Sequence, residues 1–119
     1  MGSGKRVAVL VRRSPLNSVK DSEALRQSVG LTLAGNKVTA VLLDAAAWLA
    51  VPMSPSVVGG GEVGKHIETL LQLEGRVEVE RESLERFRIS DGEVMAGIGV
   101  VSAEEVVAGL TESEAVIVF

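Results

Sequence analysis

The sequence predicts an α/β protein: a three-layer α/β/α sandwich around a mostly parallel sheet of about five strands. Three observations lead there. Short runs rich in β-branched residues, "KRVAVLV" (5–11), "VTAVLL" (38–43) and "AVIVF" (115–119), have no polar alternation, as strands buried on both faces have none. Segments with helical periodicity separate these runs from one end of the chain to the other. The hydrophobic fraction of 46% is high enough for a packed core, and with aromatics at 3% that core must be aliphatic. A length of 119 residues suits one domain. It is read as residues 5–119, with Met1–Gly4 as a flexible start or a remnant of cloning.

The first strand ends at Arg12-Arg13-Ser14-Pro15. Asn17 or Ser18 can cap the next helix, and Ser18 with Asp21 approximates a capping box. Leu25, Val29 and Leu33 recur every four residues and predict the apolar stripe of that helix. Gly35-Asn36 is a typical helix end. The second strand runs from Val38 to Leu43 and stops at Asp44. Ala45–Val51 follows as a short helix or apolar turn, broken by Pro52 and Pro55. Val63, Ile67, Leu70 and Leu71 mark a second amphipathic helix, stopped by Gly75.

Arg76–Glu80 alternates, with Val77 and Val79 on one side and Glu78 and Glu80 on the other. This predicts a strand with one wet or partner-facing side, possible as a sheet edge. Glu82–Phe87 reads as a short helix and Ile98–Val101 as a brief strand. Ser102 with Glu105 forms a capping box for a helix carrying Val106, Val107 and Leu110. Ala115–Phe119 is read as a final buried strand.

Composition removes several functions. The chain has no cysteine, which excludes disulfides, thiolate nucleophiles and Cys-based zinc sites. A net charge of −4 with no basic block argues against nucleic acid, because phosphate contacts supply most of that affinity. No apolar run approaches the roughly 18 residues of a membrane span, and no signal peptide opens the chain; a soluble cytoplasmic protein is the expectation.

The sharpest local pattern is "GGGEVGKH" (59–66), with Gly59, Gly64 and Lys65 at phosphate-loop spacing. A phosphate loop also needs a preceding strand and a hydroxyl for magnesium. Only Ser56-Val57-Val58 is available for the strand, and His66 stands in the hydroxyl position. The pattern therefore reads first as a glycine-rich link into a helix, with nucleotide or phosphate binding as the alternative. His66 is the only histidine, so a metal site is not expected. Glu78, Glu80, Glu82 and Glu85 read as a solvated face. Ser14, Ser83 and Ser102 have no evident His partner, since His66 sits at a different helix start.

The segments "KRVAVLVRRSPLNS" and "SEALRQSVGLTLAGNKVTAVLLDAA" resemble the DsrE/DsrF-like sulfur-relay family. The matching residues are Arg12, Pro15, Glu23, Ala24, Leu25, Arg26, Gly30, Leu31 and Asp44. "ESLERFRI" and "VVSAEEVVAGLTESEAVIVF" resemble the family's short helix after the third strand and its closing helix and strand. The resemblance implies a parallel five-stranded α/β/α domain with strand order 4-3-2-1-5. It also implies assembly into trimers or hexamers, sometimes with sister subunits. Active members carry persulfide sulfur on a cysteine just after the third strand, a place that falls near Arg81. With no cysteine, this chain cannot carry it. The expectation is an accessory oligomeric subunit without a cofactor.

Ligands of open α/β sheets lie beyond the carboxyl ends of the strands. That edge should gather Arg12, Arg13, Ser14 and Asn17 after the first strand, Asp44 after the second and Arg81 after the third. These residues form a candidate site for a small-molecule ligand. Arg12 pairing with Asp44, Asn17 acting only as a cap, and Glu23 pairing with Arg26 are the structural explanations of the same residues. The half-wet third strand, with Met53 and Met95, is the expected partner-facing surface.

Overall fold

Buried β-branched runs need cover on both faces, and the structure supplies it unequally. The computed structural model describes residues 4–12, 18–52 and 60–119. Among them five strands form one all-parallel sheet: β1 (Arg6–Val11), β2 (Lys37–Leu42), β3 (Arg76–Glu80), β4 (Gly99–Val101) and β5 (Ala115–Val118). Their order is β4-β3-β2-β1-β5. The helices are α1 (Ser18–Leu33), α2 (Gly60–Gln72), α3 (Arg81–Arg86) and α4 (Ala103–Glu112), and the fold is a three-layer α/β/α sandwich. Asp44–Ala50 forms a 3₁₀ helix where the sequence allowed a short helix or a turn.

Side chains on a strand alternate between the two faces. Val7, Val9 and Val11 of β1, Val38, Ala40 and Leu42 of β2, and Val77 and Val79 of β3 point to one face. There Leu25 of α1, Ile67 and Leu70 of α2, and Leu84 of α3 complete the main core. Each fully buried Leu or Ile in it contributes about 1.5–3 kcal/mol of transfer free energy. The opposite face holds a far smaller cluster: Leu10, Val41 and Val106, flanked by Leu43, Val101 and Leu110. Helix α4 supplies Val106 and Leu110 to that side.

Two strand readings change. β3 is not an edge: it pairs with β2 on one side and β4 on the other, so Glu78 and Glu80 face the thin layer from inside the sheet. The edges are β4 and β5. β5 is not buried on both faces either; Ala115 and Ile117 reach the main core while Val116 and Val118 are 44% and 59% exposed. Its apolar composition hid this, because α4 leaves the outer half of the last strand uncovered.

The stripe of α1 also differs from the four-residue repeat. Asp21, Ala24, Leu25 and Ser28 are buried, whereas Leu33 is 69% exposed. Ser28 enters the interior because its hydroxyl donates to the Ala24 carbonyl at 2.9 Å. Small residues there let α1 lie close to the sheet.

Three helices end in one way. Gly35 has φ 96°, donates to Thr32 O, and is followed by Asn36 donating to Leu31 O. This is the Schellman closure, which satisfies carbonyls that the helix end leaves open. At the end of α2 the left-handed position is Glu74 (φ 67°), and Gly75 follows, where a Cβ would lie 2.5 Å from Leu70 Cδ1. At the end of α3 it is Arg88 (φ 55°), with Ile89 donating to Leu84 O. The Ser102–Glu105 capping box of α4 is present in both directions, at 3.1 and 2.9 Å.

Candidate functional site at the carboxyl edge of the sheet

The register places Val11, Leu42 and Val79 side by side, so the residues after β1, β2 and β3 emerge at one edge. Asp44 is the centre of what is described there. Arg12 Nε donates to its Oδ2 at 3.3 Å, and Arg86 Nη1 donates to its Oδ1 at 2.9 Å. Asp44 has φ 52°, a left-handed conformation that Asp tolerates better than most residues. Two further bonds hold it. Its backbone N–H donates to Ser83 Oγ at 2.8 Å, and the Ser83 hydroxyl donates to Glu80 Oε1 at 2.6 Å.

Ser83 is fully buried, so it is not placed to attack a ligand. It connects the end of β3 to the turn after β2 and fixes where the Asp44 carboxylate stands. Its Asp44 contact spans 39 residues and has no signal in the sequence, and Glu80, three residues before it, read as part of a solvated face.

Arg81 stands at the start of α3, at the edge as expected, yet it does not join Asp44. It forms a two-pronged ion pair with Asp91, at 3.0 and 3.3 Å. This contact, followed by the charge attraction itself, holds the Asp91 carboxyl below its usual range and raises Arg81 further. Nearby, Glu93 is lowered by the Ser90 backbone N–H first and by the Ser90 hydroxyl second. These carboxylates are solvent-exposed, where water screens most of the pair energy.

The edge thus carries Arg12, Arg81 and Arg86 against Asp44 and Asp91. Each guanidinium has five N–H donors and spends one or two on its carboxylate. The donors left over can receive an anion. Arg86 and Asp91 carry no local signal in the sequence; Arg81 and Arg86 are the first and last residues of the short helix α3, and each meets a different carboxylate. Ser14, Asn17 and Gly59 lie outside the described residues, as do Arg13 and Met53. Gly64 and Lys65 lie in the second turn of α2, where backbone N–H groups bond to helix carbonyls. Lys65 is exposed. Glu23 pairs with Arg26 along α1 as anticipated. Met95 is partly buried against the main core and its N–H donates to Ala50 O at 2.7 Å. Among the described residues, no group of three or more His, Asp or Glu side chains could hold a metal, and no helix is long and apolar enough to cross a membrane.

The α/β/α fold built on this sheet has solved representatives. The ychN protein from E. coli superposes with a TM-score of 0.86 at 15% identity, over 97% of this chain and 99% of that one. MTH1491 from Methanobacterium thermoautotrophicum, a protein of unknown function, gives 0.78 at 15% identity, over 97% and 99%. BT1422 from Bacteroides thetaiotaomicron, also of unknown function, gives 0.72 at 16% identity, over 97% and 95%. These likenesses establish the shared fold. No family model and no curated protein matches the sequence.

Proposed function

We propose that this protein is a non-catalytic, accessory subunit of the DsrE/DsrF-like sulfur-relay type, working as an oligomer. The observation that carries the reading is the strand order β4-β3-β2-β1-β5 in a chain without cysteine. That order is the one the resemblance implies, and the place after β3 is held by Arg81 tied to Asp91. A guanidinium cannot carry sulfur as a persulfide; it can receive an anion. The carboxyl edge then acts as a docking or small-anion site built from Arg12, Asp44, Arg81 and Arg86, while a cysteine-bearing sister subunit supplies the chemistry.

Assembly finds support in the uneven sheet. Val116 and Val118 on the edge strand β5 and Val107 on α4 are exposed apolar side chains. Such residues gain from cover by a second chain. The partner-facing surface moves accordingly from β3 to β5 and α4. The test is mass measurement of the native protein by light scattering, together with capture by a cysteine-bearing DsrE-like protein. A trimer, hexamer or mixed complex is the expected result. A strict monomer at about 100 μM, far above ordinary working concentrations, with no capture would overturn the proposal. Nucleotide binding through Gly59, Gly64 and Lys65 is the competing reading. A melting shift with millimolar ATP or GTP and magnesium, lost in Lys65→Gln, would favour it.

A further inference from the structure

The amino ends of the strands carry a second cluster that the carboxyl-edge site does not use. Three adjacent strands each open on a cation: Arg6 for β1, Lys37 for β2 and Arg76 for β3. The alternation that sends Val7, Val38 and Val77 into the main core sends all three cations to the opposite, thinly covered face. Arg6 is directly opposite Lys37, about 5 Å away across the strand gap. Arg76 sits opposite Thr39, one step along the same face, within roughly 8 Å of Lys37.

These residues line a groove of about 330 Å³ beneath the last turn of α4, with Thr39, Glu112 and Ser113. Among the described residues, none of the three cationic side chains has an ion pair. Like charges on neighbouring strands repel. Among the lining residues Glu112 is the one carboxylate, and the carbonyl end of α4 offsets roughly another half charge, so the lining itself keeps a net positive charge. Glu114, whose carboxylate accepts the Arg6 backbone N–H at 3.2 Å, and Glu78, two residues along β3 from Arg76, stand beside the groove and temper it.

We propose that this groove is a binding site for a small polyanion of the phosphate class. Arg6 and Arg76 present planar forks that match phosphate oxygens, Lys37 adds a point charge between them, and Thr39 adds a hydroxyl. The volume suits a compact ligand and no polymer. Bound phosphate oxygens relieve the repulsion among the three cations. Glu112, on the groove wall, opposes every anion that enters and sets the affinity. The site lies at the opposite end of the strands from Arg12 and Asp44, so it stands or falls independently of the accessory-subunit reading.

The test is calorimetric titration of the full chain with inorganic pyrophosphate at low and high salt. The wild type should bind, more weakly as salt rises. Arg76→Gln should weaken binding by about tenfold or more, as expected for losing a charged hydrogen bond. Glu112→Gln should tighten it by at least about twofold, a gain that damage to the fold would not produce. Arg26→Gln, on the far side of α1's ion pair, should change nothing. No heat at millimolar pyrophosphate overturns the proposal. So does binding that survives Arg76→Gln unchanged but disappears in Arg12→Gln or Lys65→Gln, or binding indifferent to Glu112→Gln.

Discussion

Asp44 holds its position through a residue that sequence reading set aside. Ser83 accepts the Asp44 N–H and donates to Glu80, all with no exposure of its own. Ser83→Ala leaves a part-buried N–H and a carboxylate oxygen without their partner. The expected cost is about 1–3 kcal/mol in urea denaturation. The helix ends offer the opposite sign. Glu74 and Arg88 occupy left-handed positions that glycine fills at the end of α1. The Cβ strain there, about 1–2 kcal/mol, exceeds the extra chain entropy that glycine loses, about 0.5–1 kcal/mol. Glu74→Gly should therefore stabilise the protein by about 0.5 kcal/mol, read as a higher urea midpoint with an unchanged slope. A lower midpoint would mean that the Glu74 side chain contributes more than its backbone strain costs.

At the scale of elements, β5 and α4 set the character of one whole face. A four-residue strand at a sheet edge, without a charged residue, presents unpaired backbone groups as well as Val116 and Val118. Replacing both valines with glutamate should convert the proposed oligomer to a monomer with little loss of fold, since neither side chain belongs to the main core. Light scattering and far-UV circular dichroism together decide it: an oligomer that persists in the double variant places the contact elsewhere. The α1 stripe holds in part: Leu25 is in the main core and Val29 packs against it, while Leu33 is exposed. The buried face is completed by Asp21, Ala24 and Ser28, which the four-residue repeat does not include. Hydrophobicity alone does not count a serine that satisfies its hydroxyl within its own helix.

At the scale of the whole molecule, the ion pairs of Arg12, Arg26, Arg81 and Arg86 are peripheral, while the main core lies on the sheet. The depressed carboxyls Asp91 and Glu93 give the pH dependence a definite sign. A folded pKa below the unfolded value of about 4 means stability that is present above that value and is lost as pH falls through the folded one. The acid limb of a stability profile should accordingly be shallower for Asp91→Asn than for the wild type, with the curves converging at the lowest pH. Exposure keeps the difference small. Equal slopes would show that Arg81 meets Asp91 in the unfolded chain as well, or that the pair is too solvated to count.

The sequence by itself determined the α/β alternation, the positions of the strands within a residue or two, the capping box of α4 and the Arg12–Asp44 pair. These are carried by local signals: β-branched runs, cap residues at fixed spacing, and opposite charges at the ends of strands that neighbour each other. The composition of the strands did not say that β3 lies inside the sheet and β5 at its edge, since strand order is a matter of which runs pair and not of what they contain; the family resemblance implied that order, and the tertiary structure has it. Only the tertiary structure decided that Arg81 takes Asp91 while Arg86 takes Asp44, because those partners stand ten and forty-two residues apart in the chain. The same holds for Arg6, Lys37 and Arg76. Each is an ordinary cation at the start of a strand, and parallel register brings the three onto one face.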